Sequence, residues 1–231
     1  MARKSKEDTE KTRLAIIDAA RRVFLRSGVA RSTFEEIAAE AGVTRGAVYY
    51  HFQDKETLFF AIREDILAWL EAPVDDVLFS PAYADPLDAV EAALLHFFRQ
   101  LRDHPAVLDT FDIMMMRCEY VGAFAGVHEE VFRPGRELLG KLGQVYARAA
   151  QAGTLRPGLA PEAAAWDTWA FADGLLHLIV GQSEPGLLDQ RAPAMVRAHV
   201  ALRRAAFAPP NRRHQGNPYA LPGCSAGAHR P

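Results

Sequence analysis

The sequence predicts an all-α protein of about nine helices, and three observations predict it. Apolar residues recur at steps of three and four along most of the chain. Glycine and proline fall between those periodic stretches, where helices stop and start. No stretch alternates apolar and polar residues with β-branched enrichment for more than a few positions. With 231 residues, 49% of them hydrophobic and 24% charged, the chain can bury a sizeable core.

The elements follow in order. Leu14, Ile17, Ala20 and Phe24 mark a first helix, with Thr9 as its expected cap and Gly28 as its stop. Phe34, Ile37, Ala38 and Ala41 form a short second helix ended by Gly42; Thr33 and Glu36 stand at capping-box spacing before it. Thr44 opens a third short helix reaching about His51. Asp54 caps a fourth that carries Leu58, Ile62, Ile66 and Trp69 and is expected to end near Pro73, with 74–84 irregular. Asp85-Pro86 starts a helix to about Asp103. His104-Pro105 breaks it, and another helix covers roughly 106–118. A longer helical region runs to Gln151, with a possible break at Pro134-Gly135. Pro161 opens a helix to about Gln182, and 190–207 is the last. The stretch 208–231 is basic, rich in proline and glycine and without periodicity, so disorder is expected there.

Charge is unevenly spread: +3 over 1–55, −8 over 56–207 and +3 over 208–231. A basic head on an acidic body suits a protein that offers one end to a polyanion. Cys118 and Cys224 are too few for a disulfide framework and point to a reducing, cytoplasmic setting. No apolar run is long enough to span a membrane, and MARKSKEDTEK has no signal-peptide core, so no membrane partner is expected.

The segment 33–52, TFEEIAAEAGVTRGAVYYHF, has helix-turn-helix chemistry. Ala38 lets two helices cross closely, Gly42 supplies a turn with positive φ, and Val48 plugs the shared core with Ile37. The second helix of such a unit enters the DNA major groove. Thr44 and Arg45 begin that helix; arginine suits guanine, threonine a base methyl or a phosphate. Gly46 and Ala47 allow close approach of the backbone. Tyr49, Tyr50 and His51 point in three directions and cannot all be core. Lys55 is expected to meet a phosphate at the start of the fourth helix, and Thr33 to do the same from the second. Arg3, Lys4 and Lys6 make a short basic arm.

The run AGVTRGAVYYHFQDKETLF resembles the signature of the TetR/AcrR family of bacterial transcriptional regulators. IIDAARRVFLRSGVARST resembles its first helix; DPLDAV, RCEY and ADGLL are similar to its multidrug-efflux-repressor branch. The resemblance implies a homodimer with an N-terminal three-helix DNA-binding domain (1–54) and a C-terminal ligand-binding and dimerisation domain (55–207). It also implies phosphate contacts from Tyr49 and His51, and departs where Tyr50 replaces a frequent tryptophan.

Two faces of the helix from Pro161 divide the effector domain. Trp166, Trp169, Asp173 and His177 place an acid and an imidazole among aromatics, and are assigned to a ligand cavity. Ala165, Thr168, Ala172, Leu175 and Ile179 resemble a packing seam, and are assigned to the dimer interface beside Met195, Val196 and Val200. The resemblance adds Ile66, Val90, Ala93, Leu94, Phe97, Phe111, Met115, Leu138 and Leu142 to the cavity. Cys118 shares a helical face with Phe111 and Met115.

No catalytic constellation is present in the sequence. His128-Glu129-Glu130 lacks the second histidine of HExxH, and there is no phosphate-binding glycine loop or paired-cysteine spacing. No enzyme activity, metal or cofactor is expected. The reading is a repressor that binds a palindromic operator as a dimer and is released by a lipophilic small molecule, with control of an efflux pump implied by the resemblance. The alternatives are a regulator of the same fold for metabolic or signalling genes, and an enzyme or ligand-sequestering protein with a vestigial helix-turn-helix.

Overall fold

A computed structural model describes residues 6–181 and 186–205, apart from the side chains of 67–73 and 189. Nine α-helices and no strand occur among the described residues: α1 (Lys6–Ser27), α2 (Phe34–Ala41), α3 (Arg45–His51), α4 (Lys55–Leu78), α5 (Pro86–Asp103), α6 (Pro105–Asp112), α7 (Val127–Gln151), α8 (Pro161–Val180) and α9 (Ala192–Ala201). A π-helical turn, Ile113–Arg117, continues α6, and a second, Leu187–Arg191, leads into α9. The 208–231 tail, Cys224, the Trp69 side chain, Arg3 and Lys4 lie outside the described residues.

Local chemistry sets most boundaries. Gly28 ends α1 at φ +78°. The Thr33–Glu36 capping box forms in full: the Thr33 N–H donates to Glu36 Oε2 at 2.9 Å, and the Glu36 N–H donates to Thr33 Oγ1 at 3.2 Å. Asp54 accepts from the Thr57 N–H at 2.8 Å, and that bond with the Thr57 hydroxyl holds its carboxyl below the usual range. Four boundaries differ from expectation. α1 begins at Lys6, so Thr9 is internal. α4 continues past position 73 to Leu78. The π-helical turn replaces α-helix over 113–117. α9 ends at Ala201; the chain then turns so that the Ala205 N–H donates to the Thr154 carbonyl at 2.8 Å. α7 passes through Pro134 unbroken.

Two apolar cores result. The first joins α1, α2 and α3 to Leu58, Phe59 and Ile62 of α4, and also takes in Ile113, Met114, Phe124, Val127 and Val131. The second gathers α5, α7, α8 and α9 around Ile66 and Leu78 at the other end of α4. α4 therefore runs on the order of 36 Å from one core into the other. Arg21, 7% exposed, ties α1 to it by reaching Asp65 at 3.3 Å.

A polar chain is buried where α7, α8 and α9 meet. Tyr146 and Thr168 hydroxyls are 2.6 Å apart, and Thr168 Oγ1 lies 3.0 Å from His199 Nε2. Phe171 stacks on the imidazole at 4.0 Å. Burial, reinforced by the Arg203 guanidinium, holds His199 down at about 3. Its pKa is thus below that of the unfolded chain, so the stability it contributes is complete above about pH 6.5 and is lost as pH falls toward 3. Thermal unfolding should show this: the midpoint should drop on the order of 5 °C between pH 6.5 and 4.5, and less so in His199→Gln.

Candidate DNA-reading surface and effector cavity

α2 and α3 are fixed by buried contacts and capped ends. Ile37 and Val48 are fully buried against each other's helix, with Ala38 at the crossing. Gly42 stands at φ +66°, a conformation other residues adopt only with strain. Thr44 accepts from the Ala47 N–H at 3.2 Å. On this base Thr44, Arg45, Gly46, Tyr49 and Tyr50 are exposed, while Ala47 and His51 are half-buried. Tyr49 leans edge-on against Phe34, with ring centroids 4.9 Å apart. The Arg45 guanidinium donates to the Tyr49 hydroxyl at 3.3 Å and pairs with Glu35 at 2.5 Å. These partners, Tyr49 first, raise the arginine's pKa. Arg45 and Tyr49 are thus held as a unit on one exposed face.

Two predicted contacts have other duties. The Lys55 ammonium donates to the carbonyls of Val29, Ala30 and Ser32 at 3.0, 2.9 and 3.1 Å. All three of its N–H groups are used inside the protein, so the expected phosphate contact would require one of these bonds to be given up. The reason is the turn after α1: it leaves carbonyls without helical donors, and Lys55 is the cation in reach. The Thr33 hydroxyl is likewise taken up by the capping box, donating to Glu36 Oε2 at 3.2 Å.

A cavity of about 210 Å³ lies between α4, α5, α6, α7, α8 and the π-helical turn, lined mostly by the second core and also by Met114 and Val131 of the first. It lies near or below the small end of ligand sites, roughly 300–1,000 Å³. Among the sequence-predicted residues, Val90, Ala93, Leu94, Phe97, Phe111, Met115, Leu138, Leu142, Trp169 and Asp173 line it. Four do not. Ile66 is buried in the surrounding core. Trp166 is 51% exposed and flanks a groove with Gly140, Gly143 and Pro161. His177 is exposed, with Nδ1 2.9 Å from the Asp173 carbonyl oxygen. Cys118 packs beside Tyr120 instead, where burial and the Glu119 carboxylate push its thiol up to about 11, so it is not a ready nucleophile.

The faces of α8 are corrected. Ala165, Thr168, Leu175 and Ile179 are buried in the protomer's own core, as are Val196 and Val200; Met195 packs against that core, and Ala172 lines the cavity. The six buried residues are covered within the protomer, whereas Ala172 and Met195 are half-buried. The outward face of α8 carries Trp166, Ala170, Gly174, His177 and Leu178.

Sequence reasoning missed the cavity's ionic elements. Lys141 Nζ sits 2.7 Å from the Asp75 carboxylate, bridging α7 to the far end of α4. Glu137 also lines the wall and pairs with Arg133 at 2.9 Å. An Asp or Lys near a helix end is ordinary in sequence, and only the packing of α4 on α7 sets these apart. Two main-chain ties join the walls to the first core. The Val29 N–H donates to the Arg117 carbonyl at 2.9 Å, and Arg63 Nη2 donates to the Glu130 carbonyl at 2.8 Å.

Comparison with known proteins agrees with this layout. Residues 16–62 match the model of bacterial regulatory proteins of the tetR family. The chain is 33% identical over 178 residues to the HTH-type transcriptional repressor BepR of Brucella suis, covering 76% of this chain and 83% of BepR. The crystal structure of NalD, the secondary repressor of the MexAB-OprM multidrug efflux pump in Pseudomonas aeruginosa, is similar at TM-score 0.77 and 30% identity, covering 87% of this chain and all of NalD. A SmeT–triclosan complex is similar at TM-score 0.72 and 30% identity, covering 89% of this chain and 98% of SmeT, the repressor of the Stenotrophomonas maltophilia pump SmeDEF. No helix of the described residues is long and apolar enough to cross a membrane.

The geometry around Lys55 makes a direct prediction. Lys55→Met should lower unfolding stability by about 2–3 kcal/mol, since three carbonyls lose a charged donor. Urea unfolding measures this. The salt dependence of DNA binding should keep its slope, because no phosphate contact is lost.

Proposed function

The chain belongs to the TetR family of bacterial regulatory proteins, and from that premise we propose that it is a ligand-responsive transcriptional repressor of a multidrug efflux pump. The observation that carries the reading is a pairing: an exposed Arg45–Tyr49 face on a rigidly capped helix, joined by one helix to an apolar cavity. The α3 face reads a palindromic operator, with Arg45 exchanging Glu35 for a base edge and Tyr49 for a phosphate. Two copies bind as a dimer through the outward face of α8, where Trp166 and Leu178 flank Ala170 and Gly174, and through exposed Ala194, Ala198 and Leu202 beside it. These replace the buried seam as interface residues.

The effector is a small lipophilic molecule. Phe97, Phe111 and Trp169 supply aromatic walls, Met114 and Met115 adapt around different shapes, and Asp173 and the Asp75–Lys141 pair offer the few polar contacts. The effector favours a conformation in which α4 has shifted, and so opposes operator binding through one coupling free energy. SmeT, described in complex with triclosan, supplies a two-ring probe of suitable size.

Two measurements check the reading. Binding to DNA from upstream of the protein's own gene should weaken about tenfold or more in Arg45→Ala, and less in Tyr49→Phe, at unchanged thermal midpoint. Unchanged affinity in both removes these residues from the reading surface. Triclosan should quench tryptophan fluorescence and release the DNA. Asp173→Ala should alter triclosan affinity severalfold while apo operator affinity stays within about twofold; an equal fall in both would make Asp173 structural.

A further inference from the structure

Proline at position 134 leaves a gap inside α7. It has no N–H, so the carbonyl four residues earlier, that of Glu130, loses its helical donor. The flanking side chains of Glu129, Glu130 and Arg133 are exposed, so water could have satisfied that oxygen. Arg63 satisfies it instead, its Nη2 donating at 2.8 Å. Arg63 is 5% exposed and belongs to α4, between Ile62 in the first core and Ile66 in the second.

The same stretch of α7 is cavity wall. Val131, Phe132, Pro134 and Gly135 all line it, immediately after the carbonyl that Arg63 holds. A helix is most easily bent where proline has removed a rung of its ladder. A molecule that filled the cavity would press on the segment of α7 where proline has removed a rung, and the Glu130 oxygen would travel with that segment.

We propose that Arg63 is a positioning residue that carries cavity occupancy to the DNA reader, through the Glu130 carbonyl that Pro134 leaves open. The inference deepens the effector reading above and rests on it. It differs from a simple shift of α4 in naming the contact that does the pushing. It also gives Pro134 a purpose: an ordinary residue there would supply the missing N–H and make the arginine's bond to α7 redundant.

The first test needs neither DNA nor effector. Amide hydrogen exchange is compared in the full chain, Arg63→Met, Pro134→Ala and the double variant. Arg63→Met should speed exchange at least about threefold in both 127–137 and 58–66. In the double variant the main-chain N–H that alanine restores at position 134 takes over the Glu130 carbonyl, so 127–137 should recover while 58–66 stays fast. Acceleration confined to 58–66, or recovery of both segments together, overturns the proposal, because either would mean general stability and not transmission. Should Arg63→Met fail to fold, Arg63→Leu, which likewise lacks a donor, is judged by the same criteria.

The second test reads transmission directly. The ratio of operator Kd with and without saturating triclosan should fall at least about fivefold in Arg63→Met, whose side chain is not part of the cavity lining, with triclosan affinity for the DNA-free protein within about twofold. An unchanged ratio overturns the proposal. If the wild-type chain binds operator but triclosan neither binds nor releases it, the effector reading fails for that ligand, and the exchange experiment decides the role of Arg63 by itself.

Discussion

α4 has to be buried twice, once by each core, and this constraint shapes the rest of the molecule. Leu58, Phe59 and Ile62 are packed with α1, α2 and α3, whereas Ile66 and Leu78 are packed with α5 and α7. Each end of the helix is also pinned by charge. Lys55 at its start holds the carbonyls of the turn before α2, and Asp75 near its end holds Lys141 of the cavity wall. Sliding or tilting this helix therefore costs contacts in both cores at once. The two cores are not sealed from each other, since Ile113, Met114, Val127 and Val131 belong with the first core although they come from outside the helix-turn-helix segment.

Polar groups are used in two distinct ways. Inside the helix-turn-helix, Thr33, Glu36, Thr44 and Asp54 spend their hydrogen bonds on helix ends, which makes α2, α3 and the start of α4 stiff. The groups left over on α3, Arg45 and the two tyrosines, face outward. In the C-terminal helices the polar chain Tyr146–Thr168–His199 is sunk between three helices and kept neutral. Such a chain gives the α7–α8–α9 packing one register, because a shifted helix would strand a buried hydroxyl or imidazole.

The helix-turn-helix was the most legible part of the sequence, because its determinants are local. Capping boxes, a positive-φ glycine and small crossing residues act within a few positions of one another, and Thr33, Gly42, Thr44 and Val48 all stand where the spacing puts them. Tertiary facts were not legible in the same way. Helical periodicity divides α8 into faces but does not say which face turns inward when several are apolar, so periodicity alone puts the seam with Thr168 outside and Trp166 inside, the reverse of their burial. Lys55 is at a position suited to phosphate, yet the nearest unsatisfied oxygens are those of the protein's own turn. Pro134 signals a break in isolation; the arginine that mends it lies far away in sequence, on α4.

Both ties between the cavity walls and the first core end on main-chain oxygens, those of Arg117 and Glu130. A peptide carbonyl is the same whatever side chain its residue bears. Mutation can therefore exchange Met115, Phe132 or Leu138 for residues of other shapes while leaving these two junctions chemically intact. The lining of the cavity and the joints between the cores are free to change at different rates.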